Sequence, residues 1–265
     1  MFEQLVCQLL SEILRTVPNQ AFCSVSQDFV SWTPPRICLR ARPGEIANTV
    51  YNHMGFVYGD RYLGFLTYFA RDPKDPRLTV RLLSSRDGDS WQRPETSQPL
   101  LGPGEIGDWD RFVLMLTGAP PPRVGDKLYI YYRGMAIRHK PYVGNDRPPA
   151  EGGGLGLATL RLDGFASLEA SYDGGRVTSK PFRTHGRRLR VNAKADCGRL
   201  RVEVLDVAGR ALPSFGCDDC HEIRADGVDE PVGWKERDTL ESLKDRPIRL
   251  RFFLENVRLY SYRIV

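Results

Sequence analysis

Two stretches of this chain carry the same punctuation, and that repeat constrains the fold more than any other feature. SVSQDFVSWTPP and LLSSRDGDSWQRP place Ser, Asp and Trp at one spacing: Ser26, Asp28 and Trp32, then Ser85, Asp87 and Trp91. The second set follows the first by 59 residues, and a proline stands close after each tryptophan. Repeats of one four-stranded sheet run to ~40–50 residues per blade in propeller architectures, so a slightly long blade fits. An ordinary hairpin that happens to contain Asp and Trp is the plainer alternative.

The turn has a physical logic. An Asp carboxylate accepts hydrogen bonds from N–H groups two or more residues on, and Gly88 supplies a positive φ if the turn needs one. Ser85 could satisfy the turn's loose backbone groups. Trp91, at the start of the next strand, could wedge between adjacent sheets and fix the angle between them. Asp28 and Asp87 therefore read as structural residues, not catalytic ones.

The 265 residues suffice for one large or two medium domains with real cores. Contents of 41% hydrophobic, 10% aromatic and 27% charged residues are those of a soluble globular protein. Arg-rich runs such as Gly186 to Arg190 alternate with apolar residues and read as solvated strand faces, so the net charge of +5 is thinly spread. No recognition helix or aromatic stacking motif accompanies it, and no nucleic-acid partner is expected.

No stretch is long and apolar enough to cross a membrane, so no membrane partner is expected. The opening MFEQLVCQLLSEILRTVPN lacks the basic flank and cleavage site of a secretory signal. Phe2, Leu5, Leu9 and Ile13 share one helical face, which predicts a short amphipathic helix over 1–20 that stops at Pro18. Six unevenly spaced cysteines form no disulfide framework by pattern.

Strand patterns follow from Ala21. Thr49 to Tyr58 and Tyr62 to Phe69 are joined by Gly59-Asp60, a strong hairpin signal. Leu78 to Ser84, Phe112 to Thr117, Lys127 to Tyr132 and Leu155 to Leu162 are further strands. The Pro/Gly-rich 138–154 region reads as a long surface loop. Beyond Asp163-Gly164, alternating strands at Arg188 to Ala193, Arg199 to Asp206, Pro247 to Leu254 and Arg258 to Ile264 suggest a compact antiparallel sandwich. The boundary falls near Leu162.

Together these stretches resemble a family of bacterial proteins similar to family 32 and family 43 glycoside hydrolases. The matching pieces are SQDFVSWTPP, SSRDGDSWQRP, GDWD, LYIYYRG with His139, and GLATLRLDGFASLEA, then GGRVTSKPF, LRVNA, RVEVLDVAGRALPSF and VRLYSYRIV. The resemblance runs from about Ala21 to the C-terminus and implies an all-β fold, a partial five-bladed β-propeller over 21–162 followed by a β-sandwich over 163–265, with the short helix over 1–20 outside the match. In the hydrolases it resembles, the nucleophilic carboxylate comes from the first blade. Here only later blades match, so about two blades are expected to be missing, on another chain or through truncation.

Glycoside hydrolysis needs two carboxylates about 5–5.5 Å apart for retention or about 6.5–9.5 Å for inversion. Asp110, after a Gly-x-Trp corner and before an apolar strand, is the best catalytic candidate. It could face a central pocket, or it could be a corner residue capping backbone N–H groups; both readings stand. Asn52, His53, Asp108, Arg111, Arg133 and His139 could bind substrate beside it, although His53 and His139 also read as surface-loop residues. Arg71-Asp72-Pro73 looks like the Arg-Asp-Pro motif of family 32 enzymes but stands in a loop context, and Glu45 sits in a Pro-Gly loop. CDDCH, from Cys217 to His221, matches a haem-attachment pattern, with a Cys217–Cys220 disulfide or a lone metal site as alternatives. No cofactor and no metal is expected.

The function these expectations lead to is a carbohydrate-active, glycoside-hydrolase-like protein, weak or inactive as this chain. The rival is a non-catalytic carbohydrate-binding or interaction module. Carbohydrate is the expected partner, and self-association through the incomplete propeller is expected from its exposed sheet edges.

Overall fold

A computed structural model describes residues 20–40, 50–70, 76–94, 98–116, 118–138 and 152–265. The expected N-terminal helix, Glu45, the Arg71-Asp72-Pro73 motif and His139 lie outside them. Among the described residues the secondary structure is strand, apart from a single short 3-10 turn at Glu241–Leu243. No helix there is long and apolar enough to cross a membrane.

The chain divides into two compact units, one of residues up to Pro122 with Tyr129–Thr159, the other of Arg123–Leu128 with Leu160–Val265. The first begins with a small hairpin, β1 (Gln20–Cys23) and β2 (Arg36–Arg40). Next come β3 (Val50–Tyr58), β4 (Arg61–Ala70) and β5 (Arg77–Ser85), an antiparallel meander. Gly59 in the two-residue β3–β4 turn has φ +60°, the positive value that the first central position of such turns demands. β4 is covered on both faces, with Leu63, Phe65, Leu66, Thr67 and Phe69 all buried, which is why its sequence runs apolar without alternation.

β6 (Val113–Leu116) joins β5 through one parallel pair, Leu78 with Val113. β7 (Arg123–Val124) and β8 (Lys127–Met135) form a tight hairpin; β8 also pairs antiparallel with β6, and β9 (Gly153–Arg161) pairs with β8. Ala21, Cys23, Cys38 and Leu39 of the β1–β2 hairpin share one core with Val50, Leu66, Leu83 and Trp91. A second cluster, on Phe69, Leu78 and Val113, gathers Tyr51, Phe112, Met115 and Met135.

The second unit is two antiparallel sheets. The remaining strands are β10 (Leu168–Ala170), β11 (Gly175–Thr178), β12 (Leu189–Lys194), β13 (Arg199–Leu205), β14 (Asp226–Pro231), β15 (Arg249–Glu255) and β16 (Val257–Ile264). One sheet has the order β10-β16-β12-β14, the other β11-β15-β13. Their inward residues share one core: Leu189, Val191 and Leu259 from the first sheet meet Val202, Val204, Leu250 and Phe252 from the second. Trp234, 1% exposed, sits in it edge-on to Phe215 and donates its indole N–H to the Val202 carbonyl at 3.0 Å.

One polar cluster in this unit is fully matched. Asn192 is buried; its Oδ1 accepts from Arg161 Nε at 2.6 Å and its Nδ2 donates to the Leu162 carbonyl at 2.6 Å. Arg161 also donates to the Ala193 carbonyl and pairs with Asp226. Leaving such a side chain unmatched costs more than the bonds gain, so the satisfied set pins Leu162 to β12.

Candidate functional site

The two repeated turns have one local structure. In the first, Asp28 Oδ1 accepts the N–H groups of Val30 and Ser31 at 2.8 and 2.7 Å and the Ser26 hydroxyl at 3.1 Å. In the second, Asp87 Oδ1 accepts those of Asp89 and Ser90 at 2.9 and 2.8 Å and the Ser85 hydroxyl at 2.9 Å. Val25 and Thr33 close the first by backbone bonding, and Ser84 and Gln92 close the second. Bonded by Ser31 and Val30, the Asp28 carboxyl is held down to about 2; Ser90 and Asp89 hold Asp87 equally low. These carboxylates are occupied in holding turns.

Trp91 lies 8% exposed in a notch of missing side chains. A β-carbon built at Gly55 or Gly64, which pair across β3 and β4, would stand 2.7 Å from its ring. His53 meets the same indole edge-on at 4.3 Å, so it belongs to the packed face of β3 and not to a surface loop. The backbone N–H of Trp91 bonds the Cys38 carbonyl at 3.4 Å, tying this turn to β2, while its indole N–H donates to the Gly88 carbonyl at 2.9 Å. Trp91 shares one core with Cys38 and Leu39 of the β1–β2 hairpin and with Leu66 of β4.

The corner before β6 carries the remaining acidic candidates. Asp108 is the fourth residue of a turn from Glu105, with Gly107 at φ +100° before it. Its Oδ2 accepts the Glu105 N–H at 2.7 Å, so part of this carboxylate serves the turn. Asp110 Oδ2 instead accepts the Tyr132 hydroxyl at 2.7 Å. Burial, and then this bond to Asp110, push the Tyr132 hydroxyl up to about 12, so the phenol stays a proton donor throughout the neutral range. Trp109 stacks on the Tyr132 ring with centroids 5.8 Å apart and stays 39% exposed.

Glycines make room for this group. A β-carbon on Gly134 would come within 2.6 Å of the Trp109 ring, one on Gly154 within 3.4 Å of it, and one on Gly156 would run into the Tyr132 ring. Gly104 separates the two acids: a β-carbon there would lie 2.9 Å from Asp108 Oδ2 and nearer still to Asp110 Oδ1. Both carboxylates therefore face one small space. The sequence offered only the glycines of GGGLG and YYRG as a signal, with nothing to say which aromatic rings lie over them.

The other candidates sit elsewhere. Arg133 follows Tyr132 on β8 and, by strand alternation, points to the opposite face. There it lines a shallow cavity of about 410 Å³ with Met135, Ile137 and Gly152 to Leu155. Arg111 lays its guanidinium over the Phe112 ring at 4.9 Å. Asn52 is exposed on β3, and three strands separate β3 from β8 in the sheet. In CDDCH both thiols are free; Cys220 is buried, its sulfur accepts the Val202 N–H at 3.2 Å, and burial pushes its thiol up to about 11.

No protein-family model matches the chain, and no curated protein does. Solved structures give distant likenesses. An N-acetylgalactosamine deacetylase from F. plautii is 18% identical over 55% of this chain and 42% of its own, with a TM-score of 0.39. A GH32 beta-fructofuranosidase from Bombyx mori is 10% identical over 92% of this chain and 61% of its own, with a TM-score of 0.32. An exo-beta-1,3-galactanase from Phanerochaete chrysosporium is 9% identical over 97% and 68%, with a TM-score of 0.29. The chain spans about half the length of the first two, and at TM-scores below 0.5 none of them fixes the fold.

Proposed function

We propose that this chain is a carbohydrate-active protein of glycoside-hydrolase type that binds a glycan at the Trp109–Asp110–Tyr132 cluster and cleaves it weakly or not at all. The observation that carries this reading is an exposed indole stacked on a half-buried phenol, with a carboxylate beside both. Sugars present an apolar C–H face and a rim of hydroxyls; an aromatic ring suits the first and a carboxylate acceptor the second. Asp110 Oδ2 is engaged by Tyr132, which leaves Oδ1, toward Gly104, as the acceptor for a sugar hydroxyl. In this reading the two like turns belong to a partial five-bladed propeller over 21–162, and 163–265 is a β-sandwich.

Hydrolysis is the second reading, favoured by one observation: Asp108 and Asp110 each turn a carboxylate oxygen toward the same space at Gly104. Against it, Asp108 is committed to its turn and Asp110 to Tyr132. Binding by the purified chain on a glycan array, with Trp109→Ala and Asp110→Ala alongside, tests the proposal. Binding of a neutral glycan lost in both variants supports it, whereas binding that survives both would overturn it. Release of sugar from a fructoside or arabinoside panel, abolished by Asp110→Asn, would establish the second reading instead.

A further inference from the structure

The outer face of the three-stranded sheet in the second unit is crowded with arginine. On β15, Arg249, Arg251, Phe253 and Glu255 alternate outward while Leu250, Phe252 and Leu254 are buried. The register places side chains on shared rungs: Thr178, Arg251 and Glu203 on one, Arg176, Phe253 and Arg201 on the next, then Glu255 with Arg199. The flanking rungs match their own charges. Arg251 pairs with Glu203 at 2.7 Å, and Arg199 pairs with Glu255 at 2.6 Å.

The middle rung has no carboxylate. Arg201 pairs with Asp218 at 3.5 Å, and that side chain is 100% exposed, where water and salt weaken the attraction. Arg176 is exposed and has no ion pair among the described residues. At ~4.8 Å between neighbouring strands, the two arginine-bearing strands lie about 10 Å apart with an aromatic ring between them. A shallow cavity of about 390 Å³ opens here, lined by Gly174, Gly175, Arg176, Arg199, Arg201 and Phe253. That volume is within the range of small-ligand sites.

We propose that this face binds an anionic saccharide, its carboxylate or sulfate held by the forks of Arg176 and Arg201 and its ring lying on Phe253. Planar guanidinium forks suit two-oxygen anions, and the Phe253 ring offers the apolar contact a sugar face needs. Glu255 and Asp173, at the rim of the same cavity, supply acceptors for hydroxyl groups. The site shares no residue with the Trp109–Asp110 cluster, so either proposal can fail alone.

Isothermal titration of the full chain tests it with four probes: oligogalacturonate for carboxylate, a heparin oligosaccharide for sulfate, a neutral oligosaccharide of equal length, and polyphosphate. The expected result is binding of oligogalacturonate or the heparin oligosaccharide, with the neutral probe and polyphosphate at least tenfold weaker. Arg176→Ala and Arg201→Ala should each weaken that binding about tenfold at unchanged melting temperature, and Arg176→Lys less. Failure of both anionic sugars to bind would sink the proposal. So would polyphosphate binding as tightly as the sugar, or binding indifferent to an Arg176→Ala/Arg201→Ala double variant that melts like the parent.

Discussion

The turns at Ser26–Trp32 and Ser85–Trp91 share their hydrogen bonds, yet their tryptophans meet different fates. Trp91 is 8% exposed, Trp32 41%. Trp91 has the Gly55–Gly64 notch, His53 and the β2 backbone around it. Trp32 meets Phe29 edge-on at 6.0 Å, and Phe29 is itself exposed. The difference separates two kinds of information. Ser and Asp specify the turn from within five residues, whereas burial of the Trp depends on a neighbouring sheet with two facing glycines.

The sharpest way to break this comparison is to remove each indole. Trp91→Ala should cost about 3–5 kcal/mol, the usual range for truncating a buried aromatic, while Trp32→Ala should cost less than about 1 kcal/mol. Denaturant unfolding measures both, and similar losses would show that burial is not what distinguishes the turns. Filling the notch comes next. A methyl at Gly64 would press on Trp91 and lie 2.9 Å from His53 Nε2, so Gly64→Ala should destabilise by about 1–3 kcal/mol.

A smaller effect sharpens the comparison at the position after each Asp. Phe29 has φ +59° where the second turn has Gly88 at φ +78°. Left-handed backbone is costly for a residue with a β-carbon, so Phe29→Gly should stabilise by about 1 kcal/mol and Gly88→Ala should destabilise by a similar amount. Opposite signs in thermal melting would confirm the equivalence of the two sites.

The smallest effect should be shared. Asp28 and Asp87 titrate near 2 in the folded chain against an ordinary 3.8. A depressed folded value adds stability above the ordinary value and loses it as pH falls through the folded one. Both turns should therefore loosen between about pH 4 and pH 2. Asp28→Asn and Asp87→Asn should each flatten that slope in acid unfolding curves, and a response from only one would separate the turns after all.

What the sequence disclosed follows the same division. The two turns, the Gly59-Asp60 hairpin and the apolar run of β4 were legible because their determinants lie within a few residues. β10, β11 and β14 were not, since LEA, GRVT and DGVDEP are short, largely polar segments whose strand character comes from pairing with β16, β15 and β12. At the candidate site, Asp110 stood out by its place before an apolar strand. Tyr132, Trp109 and the glycines beneath them did not, because they are brought together from segments 22 or more residues away. His53 fell within the expected strand over Thr49 to Tyr58, yet its surface-loop reading was wrong, because its burial depends on an indole 38 residues later in the chain.

The acidic composition of β14 has a bearing on how the protein behaves in crowded solution. It is an edge strand, and an edge offers open backbone groups that a foreign strand can extend. Asp226, Asp229 and Glu230 stand along it, and Pro231 at its end lacks an N–H to donate. Asp226 and Asp229 already pair with arginines of their own unit, Arg161 and Arg263, so this rim is balanced at home and uninviting to a stranger. The opposite edge, β10, is only three residues long. The four-stranded sheet thus ends on both sides in ways that discourage its extension by a foreign strand.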